Sequence, residues 1–280
     1  CTSSMFLPVA LCEVCMIKKI KIMINAILGI HHITAIAGDA KRNFDFYTKV
    51  LGLRFIKKTV NFDDPHTYHF YFGDYEGTPG SILTFFPWGS AVRQGKRGAG
   101  MATEIGYSVP VGSLDFWVKR FEEHKVIYNK PAEKFGQKYL TFLDPDGLKL
   151  EMVEVADDKR KPYATDEVNE YVATRGFFNT TLTLNNAGPT AHILTEVFGY
   201  KLVSKEVNRY RYATNAVDTA NVIDIVEIPS ENRGIGAGGT IHHIAFRVKD
   251  DATQMAFHEK ISKMGRSEER RVGKECEDLC

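Results

Sequence analysis

The chain has 280 residues, 44% hydrophobic and 25% charged, which suits a globular protein with room for two ordinary domains. Lys and Arg (36) nearly balance Asp and Glu (35), so the net charge of +1 offers no electrostatic basis for binding nucleic acid or an anionic membrane. No apolar run reaches the roughly 18 residues of a membrane helix, and the five cysteines (Cys1, Cys12, Cys15, Cys276, Cys280) leave the interior without one, against a disulfide framework and in keeping with a reducing cytoplasm.

Residues 1–26 read as a leader foreign to the fold. MFLPVALC is short and lacks a basic segment, so it makes a poor signal peptide, and a natural start is expected at Met16 or Met23. The first strand opens at His31-His32-Ile33 and continues as ITAIA into a turn and a helical pattern. VLGLRFIKKTVN (Val50 to Asn61) follows. YHFYFGD (Tyr68 to Asp74) alternates like a half-buried strand, and SILTFFPW comes after a Gly-Thr-Pro-Gly turn. RQGKRGAG (Arg93 to Gly100) lacks the Lys-Ser/Thr ending of a phosphate loop and reads as a flexible connector.

TEIGYSV then predicts a strand and SLDFWVKRFEEHKV a helix with Leu114, Trp117, Val118 and Phe121 on one face. DPDGLKLEMVEV (Asp144 to Val155) is an Asp-Gly turn feeding a strand. Ala156 to Gly176 is charged and poor in apolar residues, a connection between two halves. GIGAGG (Gly234 to Gly239) resembles a dinucleotide loop only superficially, because it precedes a strand instead of following one. The strand it precedes opens at His242-His243-Ile244, and ATQMAFHEKISKMG predicts the helix after it. Arg266 to Cys276, RSEERRVGKEC, reads as a translated sequencing adapter. The spacings Cys12-x2-Cys15 and Cys276-x3-Cys280 imitate a zinc site but fall in these foreign ends.

The interior repeats itself. VLGLRFIKKTVN returns as VFGYKLVSKEVN (Val197 to Asn208) at an offset of 147 residues, and IGYSV (Ile105 to Val109) returns as IAFRV (Ile244 to Val248) at an offset of 139. The expected fold is α+β, with four βαβββ units beginning near Ile30, Thr103, Gly176 and Thr240. They would form two paired barrel-like domains, the fourth unit truncated. The expected boundaries are 27–155 for the first domain, 156–176 for the linker, 177–265 for the incomplete second domain and 266–280 for the adapter.

A lone strand histidine is usually a satisfied core residue. Two identical pairs at matching positions, among only 9 histidines, point instead to a shared role. Two imidazoles from two strands with one carboxylate make the facial triad of non-haem Fe(II). Neighbouring strand residues point to opposite faces, so only one histidine of each pair can face the metal squarely. Glu151 ends the second unit, and its equivalent in the fourth, 139 residues on, falls near position 290, past the last residue. Glu151 itself reads as a structural remnant, His66 as a solvated turn residue, and His69 as a strand residue able to face a cavity.

GIHHITAI, NFDFYTKVLGLRFIKKTVNFDDPHTYHFYFGD, FFPWG and GGTIHHIAFR together resemble the vicinal oxygen chelate (glyoxalase/bleomycin resistance/extradiol dioxygenase) superfamily. The likeness is greatest to its ring-cleaving dioxygenases of Firmicutes that act on hydroquinones, and it runs from about Ile27 to Gly265. It implies Fe(II) held by His32, His243 and a glutamate that would lie beyond the end of this chain, leaving a weak or inactive enzyme. It places His31 and His242 close to the substrate, puts Thr34 on the cavity wall, and implies pairing of the first unit with the fourth and the second with the third. The implied partners are a small aromatic substrate and O2, acting in the cytoplasm, in a chain able to form homo-oligomers. Phe85, Phe86 and Trp88 are candidate apolar walls. A glyoxalase-like metal-dependent lyase and a metal-free small-molecule-binding protein are the alternatives on the same fold.

Overall fold

The structure, a computed structural model, describes residues 26–61 and 64–264; both terminal segments with their cysteines lie outside the described residues. Three successive runs of strand, helix and three strands are followed by a strand and a helix. The first run is β1 (Ile30–Ala37), α1 (Ala40–Asp45), β2 (Arg54–Val60), β3 (Tyr68–Gly73) and β4 (Ile82–Pro87). The second is β5 (Met101–Val109), α2 (Leu114–Glu123), β6 (Ala132–Lys134), β7 (Gln137–Leu143) and β8 (Lys149–Glu154). The third is β9 (Phe177–Leu184), α3 (Gly188–His192), β10 (Lys201–Glu206), β11 (Arg209–Ala213) and β12 (Val222–Glu227). Last come β13 (Thr240–Phe246) and α4 (Asp251–Lys263).

The strands form two mixed sheets, in the orders β13-β1-β4-β3-β2 and β10-β11-β12-β9-β5-β8-β7-β6. The seam pairs are β1 with β13 and β5 with β9, both antiparallel, so the first run joins the last and the second joins the third. The offset of 147 is realised in detail. After α1 and α3 the chain widens into one π-helical turn, Phe46–Val50 and Ile193–Val197. In each, a threonine bonds back one turn: Thr48 Oγ1 to the Phe44 carbonyl at 2.7 Å, Thr195 Oγ1 to the Ala191 carbonyl at 3.0 Å.

Each sheet uses one face for its core. Ile33, Ala35, Phe70, Phe72, Leu83 and Phe85 pack with Phe46 and Tyr47; the Tyr47 and Phe85 rings lie 4.6 Å apart. In the second sheet Trp117 and Phe121 of α2 are fully buried, Phe121 at 4.5 Å from Phe142. Val118, expected on the same face, is half-buried at its margin. Burying an aromatic ring of this size is worth about 1.5–3 kcal/mol, which is why these helices hold despite short length.

β3 departs from its half-buried expectation. Five of its six residues are buried, because Phe70 and Phe72 face the core while His69 and Tyr71 are covered on the other side by β4 side chains. The charged connection 156–176 is also held down. Val168 and Ala173 are buried, Trp117 Nε1 donates to the Val172 carbonyl at 3.0 Å, and Arg160 Nη2 donates to the Phe177 carbonyl at 2.9 Å. RQGKRGAG, expected as flexible, is bridged to GIGAGG through Gln94–Gly238, Lys96–Ile235 and Ala99–Arg233. Glycine permits that approach: a Cβ on Gly98 would meet the Gly234 nitrogen at 2.7 Å.

Candidate functional site

The face of the first sheet opposite the core carries the histidines. β1 and β13 run antiparallel with Thr34 opposite His243 and His32 opposite Ala245. His32 Nε2 and His243 Nε2 lie 3.3 Å apart, although the residues are 211 positions apart in the chain. Two nitrogens each about 2.1 Å from one ion, at a right angle to each other, sit roughly 3 Å apart. The pair therefore has the spacing of two adjacent ligands on a single metal ion.

Each histidine pair sits at a break in strand register. β1 carries one extra residue between Ile30 and His32, and β13 carries one between His243 and Ile241, so His31 and His242 are the two bulge residues. A bulge bends the strand and re-aims its side chains. It brings both imidazoles of a pair together, where a regular pleat would send them to opposite faces. His31 Nδ1 lies 3.0 Å from His32 Nδ1, and His242 Nδ1 lies 2.9 Å from His243 Nδ1. One nitrogen of each contact carries the proton. With His32 and His243 as the donors, their Nε2 atoms face each other across the seam.

Burial favours uncharged rings. It pushes the His32 pKa well below the usual imidazole value, with the neighbouring His243, His31 and His69 adding to the effect. Burial, then Arg247, lowers His31 as well. His31 is 8% exposed, His243 is half-buried and His242 is exposed.

Thr34 stands beside the pair, its Oγ1 3.0 Å from His243 Nε2 and 2.8 Å from Thr84 Oγ1. Thr84 Oγ1 in turn lies 2.9 Å from His69 Nε2, and the Tyr71 hydroxyl is 2.8 Å from His69 Nδ1. A continuous polar line thus runs from the imidazole pair across β1, β4 and β3. His69 is 3% exposed, and burial lowers its pKa to about 3, aided by His243 and Lys57. Phe86 covers it at 4.5 Å and meets His242 edge-on at 5.6 Å. Phe85 points into the core and Trp88 is 47% exposed, so of the three aromatic candidates only Phe86 borders the histidines.

Thr84 and Tyr71 carry no motif and were not singled out in the sequence; strand alternation, with Thr84 and Phe86 on one face of β4, is the signal that finds them. His66 is exposed in its turn. Glu151 lies in the second sheet, against Lys134 at 2.5 Å and away from the imidazole pair. Among the described residues no group of three or more His, Cys, Asp or Glu is placed to hold a metal. The imidazole pair has the donor chemistry and spacing to fit two positions of a metal site. No described helix is long and apolar enough to cross a membrane.

Residues 29–152 match the family described as the Glyoxalase/Bleomycin resistance protein/Dioxygenase superfamily. The chain is 46% identical over 243 residues to a Bacillus subtilis (strain 168) protein provisionally named ring-cleaving dioxygenase MhqO, covering 87% of this chain and 77% of that one. It is 36% identical over 242 residues to a chlorohydroquinone/hydroquinone 1,2-dioxygenase of Sphingobium indicum, covering 85% and 75%. A crystal structure of a provisionally assigned dioxygenase from Bacillus subtilis superimposes with a TM-score of 0.81 at 45% identity, over 85% of this chain and 76% of that one. Glyoxalase I from Zea mays, at 15% identity and a TM-score of 0.60 over 85% and 80%, shares the fold.

Proposed function

The chain belongs to the glyoxalase/bleomycin resistance protein/dioxygenase superfamily, and from that premise we propose that it is an Fe(II)-dependent enzyme that opens the ring of hydroquinones with O2. The observation that carries this reading is the 3.3 Å approach of His32 Nε2 to His243 Nε2, in a chain whose relatives bear ring-cleaving dioxygenase names. In this proposal His32 and His243 hold the iron. A carboxylate equivalent to Glu151 would be the third donor. Iron, when bound there, would supply the redox chemistry that couples a deprotonated hydroquinone to O2.

The remaining work falls to the protein. His31 and His242 hold the Nδ1 side of the two ligand rings and fix which nitrogen faces inward. His242 is the exposed member and is positioned to take or return the proton of a phenolic hydroxyl. Thr34, anchored by Thr84, fills the space beside His243 and limits where the ring can lie. Phe86 offers an apolar edge next to His242 for an aromatic substrate.

The test is anaerobic loading with Fe(II), with formate supplied as a stand-in carboxylate, then admission of O2 with hydroquinone. Ring absorbance should disappear with one O2 taken up per ring, and His32→Ala should abolish both. Loss of ring absorbance without O2 uptake, or a reaction supported equally by Zn(II) or Ni(II), would replace this reading with lyase chemistry.

A further inference from the structure

The second sheet repeats the seam of the first with different side chains. Across β5 and β9, Glu104 stands opposite Thr181 and Gly106 opposite Asn179. Across β13 and β1, His243 stands opposite Thr34 and Ala245 opposite His32. The two registers superpose position by position: Glu104 takes the place of His243, Asn179 that of His32, and Thr181 that of Thr34. Even the register breaks recur, after Ala102 on β5 and beside Gly106 on β9. On the far side of β5, Glu151 lies opposite Gly106. The second seam therefore assembles two carboxylates where the first assembles imidazoles.

A positive charge is already at that place. Lys134, from the β6–β7 hairpin, is 5% exposed; its Nζ lies 2.5 Å from Glu151 Oε2 and 4.0 Å from Glu104 Oε2, over the Tyr139 ring at 4.5 Å. Lys149 binds the other oxygen of Glu104 at 2.5 Å from the sheet margin. The hydrogen bonding is incomplete. Glu104 is 7% exposed and its Oε2, turned toward the Lys134 ammonium, has no hydrogen-bond partner; neither has the wholly buried Thr181 Oγ1. Asn179 donates its Nδ2 to Asp224 Oδ2 at 2.6 Å, while its buried Oδ1 has no hydrogen-bond partner.

We propose that Lys134 is a built-in cation that fills a second, degenerate metal position, and that removing its ammonium opens a divalent-cation site on Glu104 and Glu151. Two buried carboxylates stripped of their ammonium are strongly destabilising, and a divalent ion is the direct substitute. An all-oxygen donor set selects a hard cation such as Mn(II), Mg(II) or Ca(II), unlike the imidazole pair of the first seam. In the native protein the lysine keeps this second position closed to metal, whether or not the His32–His243 seam binds iron.

The test uses full-length Lys134→Ala and Lys134→Ser, titrated with Mn(II) and counted by electron paramagnetic resonance against the parent chain. Each variant should bind roughly one Mn(II) more than the parent, and adding Glu151→Gln to Lys134→Ala should remove that gain. If a variant is unfolded alone, recovery of its circular dichroism in Mn(II) counts as the gain. If neither variant gains an ion or refolds in its presence, or if the gain survives Glu151→Gln, the proposal is overturned.

Discussion

His32 Nε2 faces His243 Nε2 at 3.3 Å across the β1–β13 seam, and each ring rests on the bulge histidine beside it. The contact joins the first described strand to the last, so it exists only once the chain has closed its long-range pairing. Replacing either ring by alanine should leave the fold intact, because both lie on the site face and not in the hydrophobic core. Bound Fe(II) and hydroquinone-dependent O2 uptake should both fall by about 100-fold or more, as expected when a ligand itself is lost and not merely its supporting partner. Metal analysis beside O2 uptake checks this. A His32→Ala protein with parental iron content would show that the two rings are not partners on one ion.

Thr84 holds two neighbours at once, Thr34 at 2.8 Å and His69 at 2.9 Å. Thr84→Val keeps the shape and leaves both without that partner in a buried place. Loss of a buried hydrogen-bond partner costs about 1–3 kcal/mol, and a loosened Thr34 should weaken metal binding by about 10-fold. Thr84→Ser should restore both. Urea unfolding and Fe(II) titration, run on the same three proteins, separate this from a simple packing effect.

The ring pair was legible because a motif was repeated: His-His-Ile opens two strands whose flanking sequence also repeats. The arrangement within each pair was not. Strict alternation sends neighbours such as His31 and His32 to opposite faces, and the structure sets their Nδ1 atoms 3.0 Å apart. A bulge is one residue too many relative to a partner strand, so it becomes visible only when that partner is known. His69 was recoverable from alternation in YHFYFGD. Thr84 was not, because a strand threonine resembles any other until its neighbours are in place. The connection 156–176 is charged and poor in apolar residues, yet Val168 and Ala173 are buried in the core cluster and Trp117 bonds the Val172 carbonyl. Sparse anchors suffice when the surface beneath them is already formed.

Phe85 and Phe86 are adjacent on β4 and should respond oppositely to the same change. Phe85 is wholly buried against Tyr47 and Phe72. Phe85→Leu should lower stability by about 1–2 kcal/mol and leave the KM for hydroquinone unchanged. Phe86 touches His69 and His242. Phe86→Leu should raise KM several-fold with a smaller loss of stability. Melting curves and steady-state kinetics on the two variants decide whether the alternation assigned to β4 is right; a shared phenotype would contradict it.

The pH dependence of stability should carry two opposing contributions. The His69 pKa is lowered from 6.5 to about 3, first by burial, then by His243 and Lys57. Between those values the unfolded chain binds the extra proton, so stability is complete above 6.5 and is lost as the pH falls. Asp144 behaves in the other sense. Burial raises its pKa from 3.8 to about 7, against the hydrogen bonds it accepts from Leu148, Asp146 and Tyr47. Here the folded chain binds the extra proton, so stability is complete below 3.8 and is lost as the pH rises through 7. From about pH 4 to 6.5 the two slopes partly cancel, and above 6.5 only that of Asp144 persists. His69→Gln should therefore keep more stability than the parent as the pH drops below 6. Asp144→Asn should remove its share of the slope between pH 5 and 7, a change of about 2 kcal/mol in variant minus parent across that interval. Urea unfolding at closely spaced pH values, read as variant minus parent, isolates each slope. If Asp144→Asn shows the parental slope, the carboxyl is already ionised throughout this range, and its three hydrogen bonds outweigh the cost of burying it.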